Sequence, residues 1–96
     1  MSPNKKKKLN KLRNKLDKLD DSFIKLIKKR TNLVKQVLKL KDQRSQIIDK
    51  KRIKIILNNI KKKSKKNNID PKITNRIWKN MIWAYINFEK KKFDKK

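Results

Sequence analysis

The sequence predicts an all-α fold of three helices, one long and two shorter, assembled as a homodimer. Three observations lead there. Apolar residues recur at helical spacing along most of the chain, and no segment alternates polar and apolar residues as a strand would. The 96 residues include no Gly and only 2 Pro, so little interrupts a helix. The first apolar stripe is also too long for a domain of this size to cover by itself.

The long helix is expected from about Lys6 to Lys41. Leu9, Leu12, Leu16, Leu19, Phe23, Leu26, Leu33, Val37 and Leu40 alternate spacings of three and four, a heptad pattern. Ile24, Ile27, Val34 and Leu38 widen the stripe. At 1.5 Å per residue this helix is ~50 Å long. A compact globule of this chain length is only about 32 Å across. The helix therefore overhangs its own domain. A second chain is expected to cover it, most simply in a two-fold dimer with the long helices antiparallel.

Residues Asp42 to Ile48 break the pattern and read as a polar connector. A shorter helix follows from about Asp49 to Lys66, with Asp49 as its cap and Ile53, Ile56, Leu57 and Ile60 as its buried stripe. Lys61 to Lys66, interrupted only by Ser64, reads as a solvated and frayed last turn. Asn67 and Asn68 suit a turn. Asp70-Pro71 opens a third helix, with Asp at the cap and Pro at the first helical position. It carries Ile73, Ile77, Trp78, Met81, Ile82, Tyr85, Ile86 and Phe88, and ends in a basic tail after Glu89. The expected organisation is a basic tail over 1–8, one helical domain over 9–93 and a short tail over 94–96.

Composition removes several chemistries. With no Cys and no His there is no zinc finger, no thiol nucleophile, no disulfide framework and no Ser-His-Asp hydrolase. Without Gly there is no phosphate-cradling loop. No apolar run approaches the ~18 residues that span a bilayer. The polar, basic start is not a secretory signal, so a cytoplasmic protein without membrane attachment is expected. The net charge is +25, with 33 Lys and Arg against 8 Asp and Glu. Lys, Asn and Ile make up more than half the chain, a bias that an AT-rich genome produces, so much of this charge reads as solvated surface. The five Arg are Arg13, Arg30, Arg44, Arg52 and Arg76. In a chain that otherwise uses Lys, each Arg suggests planar recognition of a carboxylate or phosphate.

Three polar residues fall where apolar ones are expected. Arg30 sits on the heptad stripe between Leu26 and Leu33. Glu89 extends the stripe Trp78, Ile82, Tyr85. Arg52 opens the second helix beside Ile53. A buried guanidinium keeps its proton and must be paired. One reading is a structural ion pair between Arg30 and Glu89. Another follows from spacing. Arg30 and Lys41, eleven residues apart, would share a face of the long helix at ~16 Å. Two such cations can grip opposite ends of one small anion. Arg13 is ~25 Å from Arg30 along the axis, too far to join within one chain. In an antiparallel dimer, Arg13 of the partner subunit comes alongside. A cationic pocket completed across the dimer interface would suit a small dianion.

The ordered set Leu12-Arg13, Leu16-Asp17, Leu19-Asp20, Leu26, Arg30, Val37, Lys41, Asp49, Arg52, Ile69-Asp70-Pro71 and a last apolar helix ending in Glu89 resembles the all-helical chorismate mutase family (the AroQ class) over roughly residues 9–93. The resemblance implies an intertwined homodimer with two active sites, each drawing on both chains. It implies that Arg30 and the partner subunit's Arg13 bind the two substrate carboxylates. Lys41 would contact a carboxylate and the ether oxygen. Asp49 and Arg52 would line the pocket near the ring hydroxyl. Tyr85 would stand where a small hydroxyl residue is common. Glu89 would occupy the place of a hydrogen-bond donor to the ether oxygen. A carboxylate cannot donate, so Glu89 would have to carry a proton, and activity would fall as pH rises. Arg30, Lys41 and Glu89 are thus the expected catalytic group.

The implied activity is rearrangement of chorismate to prephenate, in aromatic amino-acid biosynthesis from shikimate-derived precursors. No cofactor and no metal are implied, in keeping with the missing residue types. The protein has to hold a flexible dianion in a reactive shape and stabilise charge developing on the ether oxygen. A strongly positive chain would also steer a dianion inward, an effect weakened by salt. Ile53 stands where mutases often have a Glu, and related isochorismate-pyruvate lyases are apolar there. The lyase is the alternative enzyme. A basic nucleic-acid-binding helical protein is the alternative of another class, supported by the charge and by Trp78, Trp83 and Tyr85 on one helix. Against it, the cations are spread along the whole chain and the aromatics sit at core spacing, so no specific nucleic-acid partner is expected.

Overall fold

The computed structural model describes residues 1–95; Lys96, the end of the expected tail 94–96, lies outside them. Among the described residues there are helices and turns and no strand. The order is α1 (Pro3–Lys39), a 3-10 turn (Arg44–Gln46), α2 (Lys50–Lys66) and α3 (Pro71–Asp94). The all-α fold with one long and two shorter helices is therefore as the periodicity implies. The chain divides into two compact units, Met1–Leu33 and a second from Val34 onward.

The first unit is helix throughout from Pro3. The helix begins at Pro3 rather than near Lys6. Ser2 is the reason: its Oγ accepts the Lys5 amide at 3.3 Å and its carbonyl accepts the Lys6 amide at 2.9 Å. Pro3 then fills the first helical position, where no amide is needed. Leu12, Leu16, Leu19, Phe23, Leu26 and Leu33 are each 56–60% exposed. A single helix has nothing of its own to lay over that stripe.

The second unit holds the core. Leu38, Ile47, Ile82 and Ile86 are buried together, with Ile48, Ile53, Ile56, Leu57 and Phe93 packed against them. Burying one such side chain contributes about 1.5–3 kcal/mol. The last turn of α1 supplies Leu38. The amides of Leu40 and Lys41 then donate to Val37 and Leu38 carbonyls at 3.0 and 3.1 Å, closing α1 with tightened turns. α1 thus stops at Lys39, and Lys41 lies beyond it. The shared-face spacing of Arg30 and Lys41, which assumes helix through Lys41, does not hold.

The connector is not simply polar. Ile47 is only 3% exposed and Ile48 is half-buried. The side chain of Gln46 accepts the amides of Asp42 and Gln43 at 2.8 and 2.9 Å. Arg44 Nε meets Asp94 Oδ1 at 3.0 Å on the surface. Helix α2 opens on Asp49, whose Oδ1 accepts the Arg52 amide at 3.0 Å.

The basic end of α2 is solvated but not frayed. It stays helical to Lys66, and Ser64 in its midst is 3% exposed. Ser64 Oγ donates to the Ile60 carbonyl at 2.6 Å and lies 2.6 Å from Thr74 Oγ1. One hydrogen bond joins the two hydroxyls, and either can be its donor. This pair joins α2 to α3 across the turn. The turn itself needs one left-handed residue, and Asn68 takes it at φ 57°. Asp70 Oδ1 then caps α3 through the Lys72 amide at 3.0 Å, ahead of Pro71. α3 runs past Glu89 to Asp94. Its apolar residues divide: Ile82 and Ile86 are buried, whereas Ile73, Ile77 and Trp83 are more than half exposed.

Candidate active site

The second unit gathers several of the polar residues singled out from the sequence. Lys41 sits just past α1, where the closing turn turns the chain toward α3. Glu89 lies on the buried face of α3, one turn after Tyr85 and three residues after the buried Ile86. Lys41 Nζ stands 3.5 Å from Glu89 Oε2, and both side chains are largely shielded, at 19% and 9% exposed. Glu89 is the only glutamate in the chain. A carboxylate and an ammonium withdrawn from water in this way depend on each other, because removing one strands the other. Tyr85 is half-buried on the same helix.

Beside this pair an open cleft of about 530 Å³ is lined by Lys41, Gln46, Ile48, Asp49, Lys50 and Lys51. Three of these six are cations, so the cleft favours an anion. Asp49 is committed as the cap of α2, and Arg52 in the first turn of α2 is exposed. The structure thus brings Lys41 to Glu89 and puts Lys41 and Asp49 on one cleft. Ile53, by contrast, packs against the apolar core.

Arg13 and Arg30 belong to the first unit. Arg13 is exposed on α1. Arg30 is half-buried, with its Nε withdrawn from solvent. Gln46 and the lysines at 50 and 51 were not among the expected site residues. Lys50 and Lys51 could have been found from their place in the first turn after the Asp49 cap. Gln46 has no sequence signal of its own, because its role depends on how the connector folds. Among the described residues no cluster of three or more acidic side chains could hold a metal ion. No helix among them is long and apolar enough to cross a membrane.

The family model for chorismate mutase type II matches residues 12–90. The chain belongs to that family. It is a chorismate mutase by this membership, and so an isomerase. A chorismate mutase from Methanocaldococcus jannaschii is 37% identical over 76 residues, which cover 78% of this chain and 77% of the relative. No solved structure matches the chain. The matched span begins one residue before Arg13 and ends one residue after Glu89, so it holds all seven expected site residues. Neither the lyase nor the nucleic-acid reading is favoured by these relationships.

Proposed function

We propose that the chain rearranges chorismate to prephenate in a pocket built by two copies of itself, with Lys41 and Glu89 at the breaking bond. The observation that carries this reading is the shielded Lys41–Glu89 pair at 3.5 Å beside a cationic cleft, in a chain of this family. The reaction breaks one carbon–oxygen bond and forms one carbon–carbon bond within the same molecule. It needs no nucleophile and no proton to leave or enter the product. What it needs is a held conformation and hydrogen-bond donors at the ether oxygen, where negative charge grows.

In this reading Lys41 donates to that oxygen and to a neighbouring carboxylate. Arg30 grips a carboxylate with its planar fork, and the partner subunit's Arg13 takes the other. Asp49 and Arg52 border the ring hydroxyl, and Tyr85 borders the ring. Glu89 holds Lys41 in place and, when it carries a proton, is a second donor to the ether oxygen. The open apolar stripe of the first unit supports the homodimer, since a second copy covers it and supplies Arg13. The cytoplasm is the proposed location.

The direct test follows chorismate loss and prephenate formation, with isochorismate and the release of pyruvate and salicylate as the comparison. Arg30→Lys keeps the charge but loses the fork, and kcat/KM should fall about 10²–10³-fold with helicity unchanged. A wild-type protein that consumes neither compound, or an Arg30→Lys variant equal to it, defeats the proposal. Glu89→Gln donates at every pH. This variant should therefore keep at least the wild-type rate; a loss of about 10²-fold would remove Glu89 from the donor role.

A further inference from the structure

We infer that Gln46 is a positioning residue for Lys41, and this rests on the assignment of Lys41 to the substrate. Gln46 uses one carbonyl oxygen, Oε1, to accept two successive amides, from Asp42 at 2.8 Å and Gln43 at 2.9 Å. These are the first two amides after Lys41. On the other side, the Leu40 and Lys41 amides are fixed by Val37 and Leu38 carbonyls. The backbone of Lys41 is therefore clamped from both directions, by the end of α1 and by the Gln46 side chain.

The rest of the connector holds Gln46 itself. Its own amide donates to the Gln43 carbonyl at 3.0 Å, and the Ile47 amide donates to the Arg44 carbonyl at 3.2 Å. Ile47, the next residue, is sunk in the core at 3% exposed. Gln46 is thus anchored through its neighbour and presents its amide group to the turn. It also lines the same cleft as Lys41 and Asp49. Lys is a flexible side chain with a long stem, so its ammonium is placed only as well as its backbone is. A shift of about 1 Å at a reacting group can cost on the order of 10²-fold in rate.

Gln46 is exposed, so water replaces its two bonds when they are lost. The fold survives, and the consequence appears in geometry rather than in stability. This separates a positioning role from a structural one. The requirement is for an acceptor, not for an amide. Glu can meet it and Met, of similar length, cannot.

The experiment compares Gln46→Met, Gln46→Glu and Lys41→Met with wild type, using steady-state chorismate turnover and amide hydrogen exchange. In Gln46→Met, the Asp42 and Gln43 amides should exchange at least about tenfold faster, and kcat should fall roughly ten- to hundredfold at nearly unchanged melting temperature. Gln46→Glu should recover kcat to within about threefold and restore slow exchange, while KM rises because the added charge repels a dianion. Wild-type kcat in Gln46→Met, or a Gln46→Glu variant as slow as Gln46→Met, overturns the inference. If Lys41→Met is inactive and Gln46→Met is fully active, only the positioning role fails. If Lys41→Met turns over chorismate normally, the assignment of Lys41 fails, and the role of Gln46 with it.

Discussion

The two units carry similar amphipathic sequence and treat it in opposite ways. In the second unit, Leu38, Ile47, Ile82 and Ile86 are covered by the helices and turn of the same chain. In the first, Leu12, Leu16, Leu19, Phe23, Leu26 and Leu33 stay more than half exposed. The pattern of the sequence is if anything more regular in the first. Periodicity therefore reports which face of a helix is apolar, but not what covers it. Coverage depends on chain that returns to the helix, and the second unit gets this from the turns at 40–49 and 67–70.

If the first unit is covered by a second copy, the largest change should come from charging its stripe. Leu19→Asp with Phe23→Asp should weaken the dimer by about 10²–10⁴-fold, since each buried apolar side chain contributes about 1.5–3 kcal/mol. Sedimentation velocity should show monomer, and activity should go with it. A stable dimer in this variant would break the contrast between the units.

A mid-sized change is expected inside the second unit. Ile86→Ala should cost about 2–5 kcal/mol in urea unfolding, because the core around it is small and cannot easily close the cavity. A cost under about 1 kcal/mol would mean that the core is not there to be damaged. The smallest change sharpens the comparison within α2. Ser64→Ala should cost about 1 kcal/mol by leaving the Thr74 hydroxyl with only the weaker 3.3 Å bond to the Pro71 carbonyl. Its neighbour Lys65→Ala should stay within about 0.5 kcal/mol. Equal effects in thermal melts would return Ser64 to the solvated surface.

These cases also show what was legible in the sequence. The caps at Asp49 and Asp70-Pro71 were readable because a cap is made by residues two or three apart. Ser2-Pro3 has the same chemistry, yet the charge run Lys5 to Lys8 disguises it as a tail. Ile47 escaped because two apolar residues in a connector have no period; their burial is decided by α3, far along the chain. Ser64 escaped for a related reason, since its partner lies across a turn.

The site divides in the same way. The burial of Glu89 was visible as a continuation of the stripe Trp78, Ile82, Tyr85. Its ion pair with Lys41 spans 48 residues, and no local pattern announces it. Spacing suggested only an anion pocket drawing on Arg30 and the partner subunit's Arg13; the particular substrate contacts of Arg13, Arg30, Asp49, Arg52 and Tyr85 came from family likeness. Gln46 was invisible because the sequence does not say which way the chain turns after Lys39.

The open stripe of the first unit lies among ten Lys and two Arg, with only three Asp between Pro3 and Leu33. Any second copy that covers it brings the same excess of positive charge. Dissolved anions gather around such crowded cations and ease their mutual repulsion, so added electrolyte should tighten subunit pairing. The same ions compete with an anionic reactant for the cleft. Turnover should therefore peak at an intermediate ionic strength, falling on one side through dissociation and on the other through competition.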